Sequence, residues 1–133
     1  MARPVDLLIV LTGPPYGSDL VTTVFRLVDA VLVSGASVRV WTCGYATMLT
    51  RQALGERKQA DPRDWSRHYP TTAALVAGLV TSHGAAGFGW VVCRFCATER
   101  GADAQIPQAR MVSPFTLGRH VDSARRVVYI GGV

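Results

Sequence analysis

The chain has 133 residues, 49% of them hydrophobic, which suits one domain with a real core; no apolar run approaches the roughly 20 residues a membrane-spanning helix needs. The formal charge of +5 comes from 14 basic and 9 acidic residues, yet the arginines are dispersed, concentrating only between Arg51 and Arg67 and at Arg125-Arg126, without the interleaved aromatics of a nucleic-acid face. The expectation is a single domain over residues 1–133, away from membranes and nucleic acid. Because Met1-Ala2-Arg3-Pro4 leads into an apolar run without a cleavable-signal pattern, a cytoplasmic location is also expected.

Val5 to Leu11 is a near-continuous apolar run broken only by Asp6, as in a central parallel strand covered on both faces. Thr12-Gly13-Pro14-Pro15-Tyr16-Gly17-Ser18-Asp19 reads as a loop, with Ser18 or Asp19 able to cap the next helix. From Leu20 to Ser34, Val21, Val24, Phe25, Val28, Val31 and Leu32 keep the spacing of one helical face, and Gly35 is the stop. Ser37 to Thr42 alternates into a second strand around Val38, Val40 and Trp41, completing a right-handed βαβ unit. Cys43-Gly44-Tyr45 falls just past its carboxyl end, and Ala46 to Leu54 is short helical or irregular structure.

Gly55 to Pro70 is charged, proline-punctuated and aperiodic, and is expected as a long surface loop of the same domain. Trp65, His68 and Tyr69 are the residues able to fold that loop over something, a reactive thiol included. Thr71 to His83 reads as a helix capped by Thr71 or Thr72, and the glycine-rich stretch Gly84 to Gly89 leads into a strand at Trp90 to Val92. The chain then enters Cys93-Arg94-Phe95-Cys96-Ala97-Thr98-Glu99-Arg100-Gly101, a candidate helical turn. Ala102 to Gln108 is loop, Arg110-Met111-Val112 a short strand, Ser113-Pro114 the cap and first residue of a last helix, and Val127-Val128-Tyr129-Ile130 the closing strand. About five mostly parallel strands alternating with helices make a three-layer α/β/α sandwich of flavodoxin-like type.

Such a sheet places its chemistry past the carboxyl ends of its strands. The Gly13 to Asp19 loop sits there, but it lacks Gly-x-Gly-x-x-Gly and has no Lys-Ser/Thr after Gly17, so a plain βα turn is favoured over a phosphate loop. Gly13 and Tyr16 can still line a site. Three cysteines without a secretory signal argue against a disulfide framework. As half of a zinc site, Cys93-Arg94-Phe95-Cys96 lacks a second pair, and only folding could bring Cys43 with His68, His83 or His120 to complete it. As inert core thiols the two cysteines would be ordinary. Cys93, however, falls where a strand ends and helix amides begin, so the dipole and Arg94 are expected to favour a reactive thiolate. A thioredoxin-like protein would also start a helix with Cys-x-x-Cys, but after an early strand, whereas here the motif comes two-thirds of the way along the chain.

The opening Asp6-Leu7-Leu8-Ile9-Val10 with Thr12-Gly13-Pro14-Pro15-Tyr16-Gly17, the apolar helix ending at Gly35, the strand ending Trp41-Thr42, the Cys93 to Arg100-Gly101 segment and the closing Val127-Val128-Tyr129-Ile130 resemble the DsrE/DsrF-like family. Its members include sulfur-relay subunits of the TusD and DsrE type. The resemblance spans nearly the whole chain except Gly55 to Pro70. It implies a small α/β domain assembled into homo- or hetero-oligomers, working without cofactor or metal, in which one cysteine accepts sulfur as a persulfide and hands it on. Cys93 matches the sulfur-accepting position and Cys96 the second cysteine of relatives that carry a pair; Cys43 and the long charged stretch are departures. Arg94 and Arg100 are candidates to support the sulfur anion. The partners implied are sulfur donor and acceptor proteins or low-molecular-weight thiols. Two other readings stand beside a sulfurtransferase-like carrier: a thiol-disulfide redox protein using the same pair, and a non-catalytic module that binds a small ligand or serves as an assembly subunit.

Overall fold

The computed structural model describes residues 2–16 and 19–131. The apolar run of the opening forms β1 (Val5–Leu11), followed by α1 (Leu20–Val33) and β2 (Val38–Thr42). Two 3-10 segments, Gly44–Thr50 and Gln52–Leu54, precede β3 (Arg57–Asp61), β4 (Asp64–Pro70) and α2 (Thr72–Gly87). Then come β5 (Phe88–Cys93), α3 (Arg94–Glu99), β6 (Ala109–Val112), α4 (Leu117–Ser123) and β7 (Ala124–Ile130). Five strands form one parallel sheet in the order β6-β5-β2-β1-β7. The helices flank this sheet in the expected flavodoxin-like layering.

The two faces of the sheet are covered unequally. Leu7, Ile9 and Leu11 of β1, Val40 of β2 and Trp90 of β5 pack against Val24 and Val28 of α1 and Val76 of α2. Val24 and Val28 are fully buried at i and i+4, each contributing roughly 1.5–3 kcal/mol of burial. The opposite face carries Leu8, Val10, Trp41, Val91, Cys93 and Val112, covered by Leu117 of the seven-residue α4 and by the start of α3. That layer is too short to reach across β7, whose Val127 and Tyr129, in register with Leu8 and Val10, remain exposed. The cysteines lie in this thinner layer, close to solvent.

Helix termini follow the sequence in two places. The Thr71 hydroxyl accepts the Ala74 N–H at 3.1 Å, and Gly35 takes φ 87° just past α1, a conformation glycine adopts without steric cost. Asp19 sits at the start of α1 without a capping bond, and Ser18, the other candidate cap, lies outside the described residues. The stretch Gly84 to Gly89 splits differently from the expectation: Gly84, at φ 69°, kinks α2, which resumes to Gly87, and β5 already begins at Phe88.

The expected long loop from Gly55 to Pro70 is instead an antiparallel hairpin, β3 paired with β4. Its seven-residue second strand is exposed throughout, so neither side of the ribbon faces a core and no apolar alternation marks it. Order comes from the backbone ladder and from turn bonds, with the Arg63 N–H on Asp61 Oδ1 at 2.9 Å and the Ser66 N–H on Asp64 Oδ1 at 3.0 Å. The Thr71 hydroxyl, donating to the Gly55 carbonyl at 2.6 Å, ties the base of the hairpin to α2.

Candidate functional site

The parallel register pairs Thr42 of β2 with Val92 of β5. The next residue on each strand is therefore a cysteine, and Cys43 and Cys93 leave the sheet side by side at its carboxyl edge. Cys93 is both the last residue of β5 and the cap of α3, which turns Cys96 back toward it one helical turn later. The three sulfurs lie within 4.8 Å of one another. All three thiols are free, with no disulfide among them.

The surroundings of these sulfurs differ. The indole N–H of Trp41 donates to Cys43 Sγ at 2.8 Å. Burial nevertheless dominates and pushes the Cys43 thiol up to about 11, the indole bond pulling the other way. Cys93 is only 1% exposed, and burial raises its thiol too, opposed by the backbone N–H groups of Cys96 and Phe95. The expected low-pKa thiolate at Cys93 is thus corrected: the amides do turn to the sulfur, but desolvation outweighs them. Cys43 and Cys96 are both half-buried, and Cys93 alone of the trio is buried.

The other candidates separate clearly. Arg100 Nη1 donates to the Cys96 carbonyl and to Glu99, each at 3.2 Å, while its guanidinium lies 4.6 Å over the Tyr45 ring. It braces α3 against the turn that follows Cys43, a positioning role. Arg94 is exposed in an apolar groove of about 580 Å³ with Phe95, Pro114 and Phe115. Gly13, at φ 98°, has its backbone N 3.9 Å from where a Cβ on Gly44 would stand, so the β1 loop runs alongside the Cys43 turn. Tyr16 lies apart, in a shallow depression with Phe25 of α1 and Lys58 of β3. Trp65 is 78% exposed and His68 lines a depression against Ala74 and Ala77 of α2; the structure brings neither to the thiols.

The fold therefore supplies the third sulfur whose absence argued against a metal site, although no histidine or carboxylate joins the trio among the described residues. With metal–sulfur bonds of about 2.3 Å, a tetrahedral ion wants sulfurs about 3.8 Å apart, so a soft cation could draw these three in and keep one position open. Trp41 as a donor to sulfur was missed in the sequence. Its alternation signal marked it as strand core, and nothing local showed that Cys43 lies beside its indole.

Fold and site together define a three-layer α/β domain with a trio of thiols at the carboxyl edge of two adjacent strands. No protein-family model matches the chain, and no curated protein sequence does. Among solved structures, the crystal structure of the YchN protein from E. coli is similar, with a TM-score of 0.68 at 17% identity over 95% of this chain and 99% of that one. That likeness shows the fold. No helix among the described residues is long and apolar enough to cross a membrane.

Proposed function

We propose that this protein is a sulfur carrier of DsrE/DsrF-like kind, in which Cys93 holds sulfane sulfur as a persulfide and Cys96 is the second thiol. The observation that carries the reading is the convergence of three free sulfurs within 4.8 Å, on a fold shared with YchN and in a sequence that resembles the sulfur-relay family. In the loading step a cysteine thiolate attacks the outer sulfur of a donor persulfide, one sulfur atom is transferred, the donor leaves as a thiolate, and the attacking thiol's proton goes to solvent. Half-buried Cys96, together with half-buried Cys43, is on the side from which a donor approaches, and Cys93 is the sheltered holding position. The N–H groups of Phe95 and Cys96 that oppose the burial of the Cys93 thiol then face a group that is more acidic as a persulfide than as a thiol. Unloading is the same exchange in reverse, with a partner's thiolate attacking the outer sulfur.

Donor and acceptor are sulfur-relay proteins or low-molecular-weight thiols of the cytoplasm, and the chain works as a homo- or hetero-oligomer. Exposed Phe95 and Phe115, which share one groove, and exposed Val127 and Tyr129, on one face of the edge strand β7, support that assembly, because apolar side chains gathered at the surface mark interaction sites. Close spacing also suits the redox reading, in which Cys93 and Cys96 cycle through a disulfide. One experiment separates the two. Reduced protein is treated with polysulfide, mapped by peptide mass spectrometry for the gain of one sulfur atom, and then offered glutathione. The carrier reading expects transferable sulfur on the Cys93 peptide and its loss in Cys93→Ser. Label unchanged in that variant, or a Cys93–Cys96 disulfide with no transferable sulfur, overturns it.

A further inference from the structure

A second feature lies on the same thin face of the sheet. Arg39 of β2 is 8% exposed, and its side chain passes over Gly89 of β5, where a Cβ would stand 3.7 Å from Arg39 Cγ. Its guanidinium donates to Ser123 Oγ at 3.1 Å, to His120 Nδ1 at 3.4 Å and to the Arg3 carbonyl. All three acceptors are neutral. The ion pairs among the described residues involve Arg63, Arg100 and Arg125, so no carboxylate compensates Arg39. A buried guanidinium without an anion is costly.

The charges facing Arg39 make the imbalance larger. Arg110 of β6 and Arg3 both act on it as like charges, and Arg39 with Arg110 acts on His120. An arginine has no acceptor, so His120 Nδ1 must accept and the proton of the neutral ring sits on Nε2. Burial and the two arginines hold this histidine down at about 4. Beside it is a pocket of about 60 Å³ bounded by Arg110, Arg119, His120, Thr116, Val112 and Ala2. Neither Arg110 nor Arg119 has an ion-pair partner among the described residues. The acids of this face are elsewhere: Asp6 is held by Ser37 and Arg125, and exposed Asp122 is not part of the pocket wall.

We propose that this pocket binds a small tetrahedral oxyanion of the sulfate or phosphate class, with Arg110 and Arg119 as charge-assisted donors and Arg39 as the fixed positive charge behind it. The volume admits one four-oxygen anion, given that a liquid water occupies about 30 Å³, and is too small for a nucleotide. The Thr116 hydroxyl gives its proton to the Ser113 carbonyl at 2.7 Å, so donation falls to the arginines and to His120. The pocket shares a wall with the thiols: Trp41 meets the His120 ring edge-on at 5.1 Å and gives its N–H to Cys43. The inference stands independently of what the thiols carry.

The test is isothermal titration of the full chain with sodium sulfate, and separately sodium phosphate, at constant ionic strength set by chloride. Saturable binding of one anion is expected, weakened at least tenfold in Arg110→Gln and in Arg119→Gln and unchanged when Cys43, Cys93 and Cys96 are all serine. Both arginines are exposed, so these variants fold, and circular dichroism confirms that they do. No saturable heat with either anion, binding undiminished in both arginine variants, or binding to an oligonucleotide but to neither inorganic anion overturns the proposal.

Discussion

The environment of Cys43 makes a quantitative claim about its reactivity. With its thiol raised from 9.0 to about 11, the thiolate fraction at neutral pH falls about 100-fold, tenfold for each unit. The more basic thiolate regains part of this, since a Brønsted slope of about 0.4–0.5 over those two units returns about tenfold in intrinsic nucleophilicity. Alkylation of Cys43 by iodoacetamide is therefore expected about tenfold slower than that of a free cysteine in a peptide, before any steric shielding. The pH profile is the sharper reading: Cys43 should still be gaining rate tenfold per unit near about pH 10, where an ordinary thiol has levelled off. In Trp41→Phe the indole N–H that stabilises the Cys43 thiolate is gone, and the profile shifts further upward. The assay is time-resolved alkylation with peptide mapping, on protein shown folded at each pH. A rate that levels off near or below an ordinary thiol's pKa would refute the assignment of burial as the dominant cause, and a Trp41→Phe profile shifted downward would refute the role given to the indole bond.

Two other outcomes are expected from the structure. His120 is neutral in the fold, and its pKa is lowered from 6.5 to about 4; between these values the unfolded chain binds more protons, so this group's stabilisation is present above pH 6.5 and is lost as pH falls toward about 4. Urea unfolding in chloride buffers should show that decline, and His120→Gln should flatten it. Gly101 ends α3 at φ 64° with open space around a would-be Cβ, so Gly101→Ala should cost about 1–2 kcal/mol from backbone strain alone, read as a lower urea midpoint with unchanged m-value. No loss of stability there would mean that the turn after α3 is not held in this conformation.

The sequence by itself determined which segments are strands and helices of the sheet, because their burial is periodic. Ile9 lies in a near-continuous apolar run, Val38 and Val40 alternate across Arg39, Val24 and Val28 repeat at helical spacing, and Thr71 and Gly35 punctuate their helices by local chemistry that needs no tertiary partner. It also located the Cys93 and Cys96 pair at a strand-to-helix junction. The hairpin of β3 and β4 was hidden because both its faces are wet and its order lies in backbone bonds that leave no periodic trace. Only the tertiary structure decided that β2 pairs with β5, and that register alone sets Cys43 beside Cys93. The same pairing buries Cys93, so that desolvation rather than the adjacent amides governs its thiol. It also places Arg39 over Gly89 and under α4, where a charge that looked like ordinary surface arginine in the sequence is enclosed without a counter-ion. Strand order and register arise from contacts distant along the chain, and the electrostatics of a thiol or a guanidinium depend on what those contacts enclose.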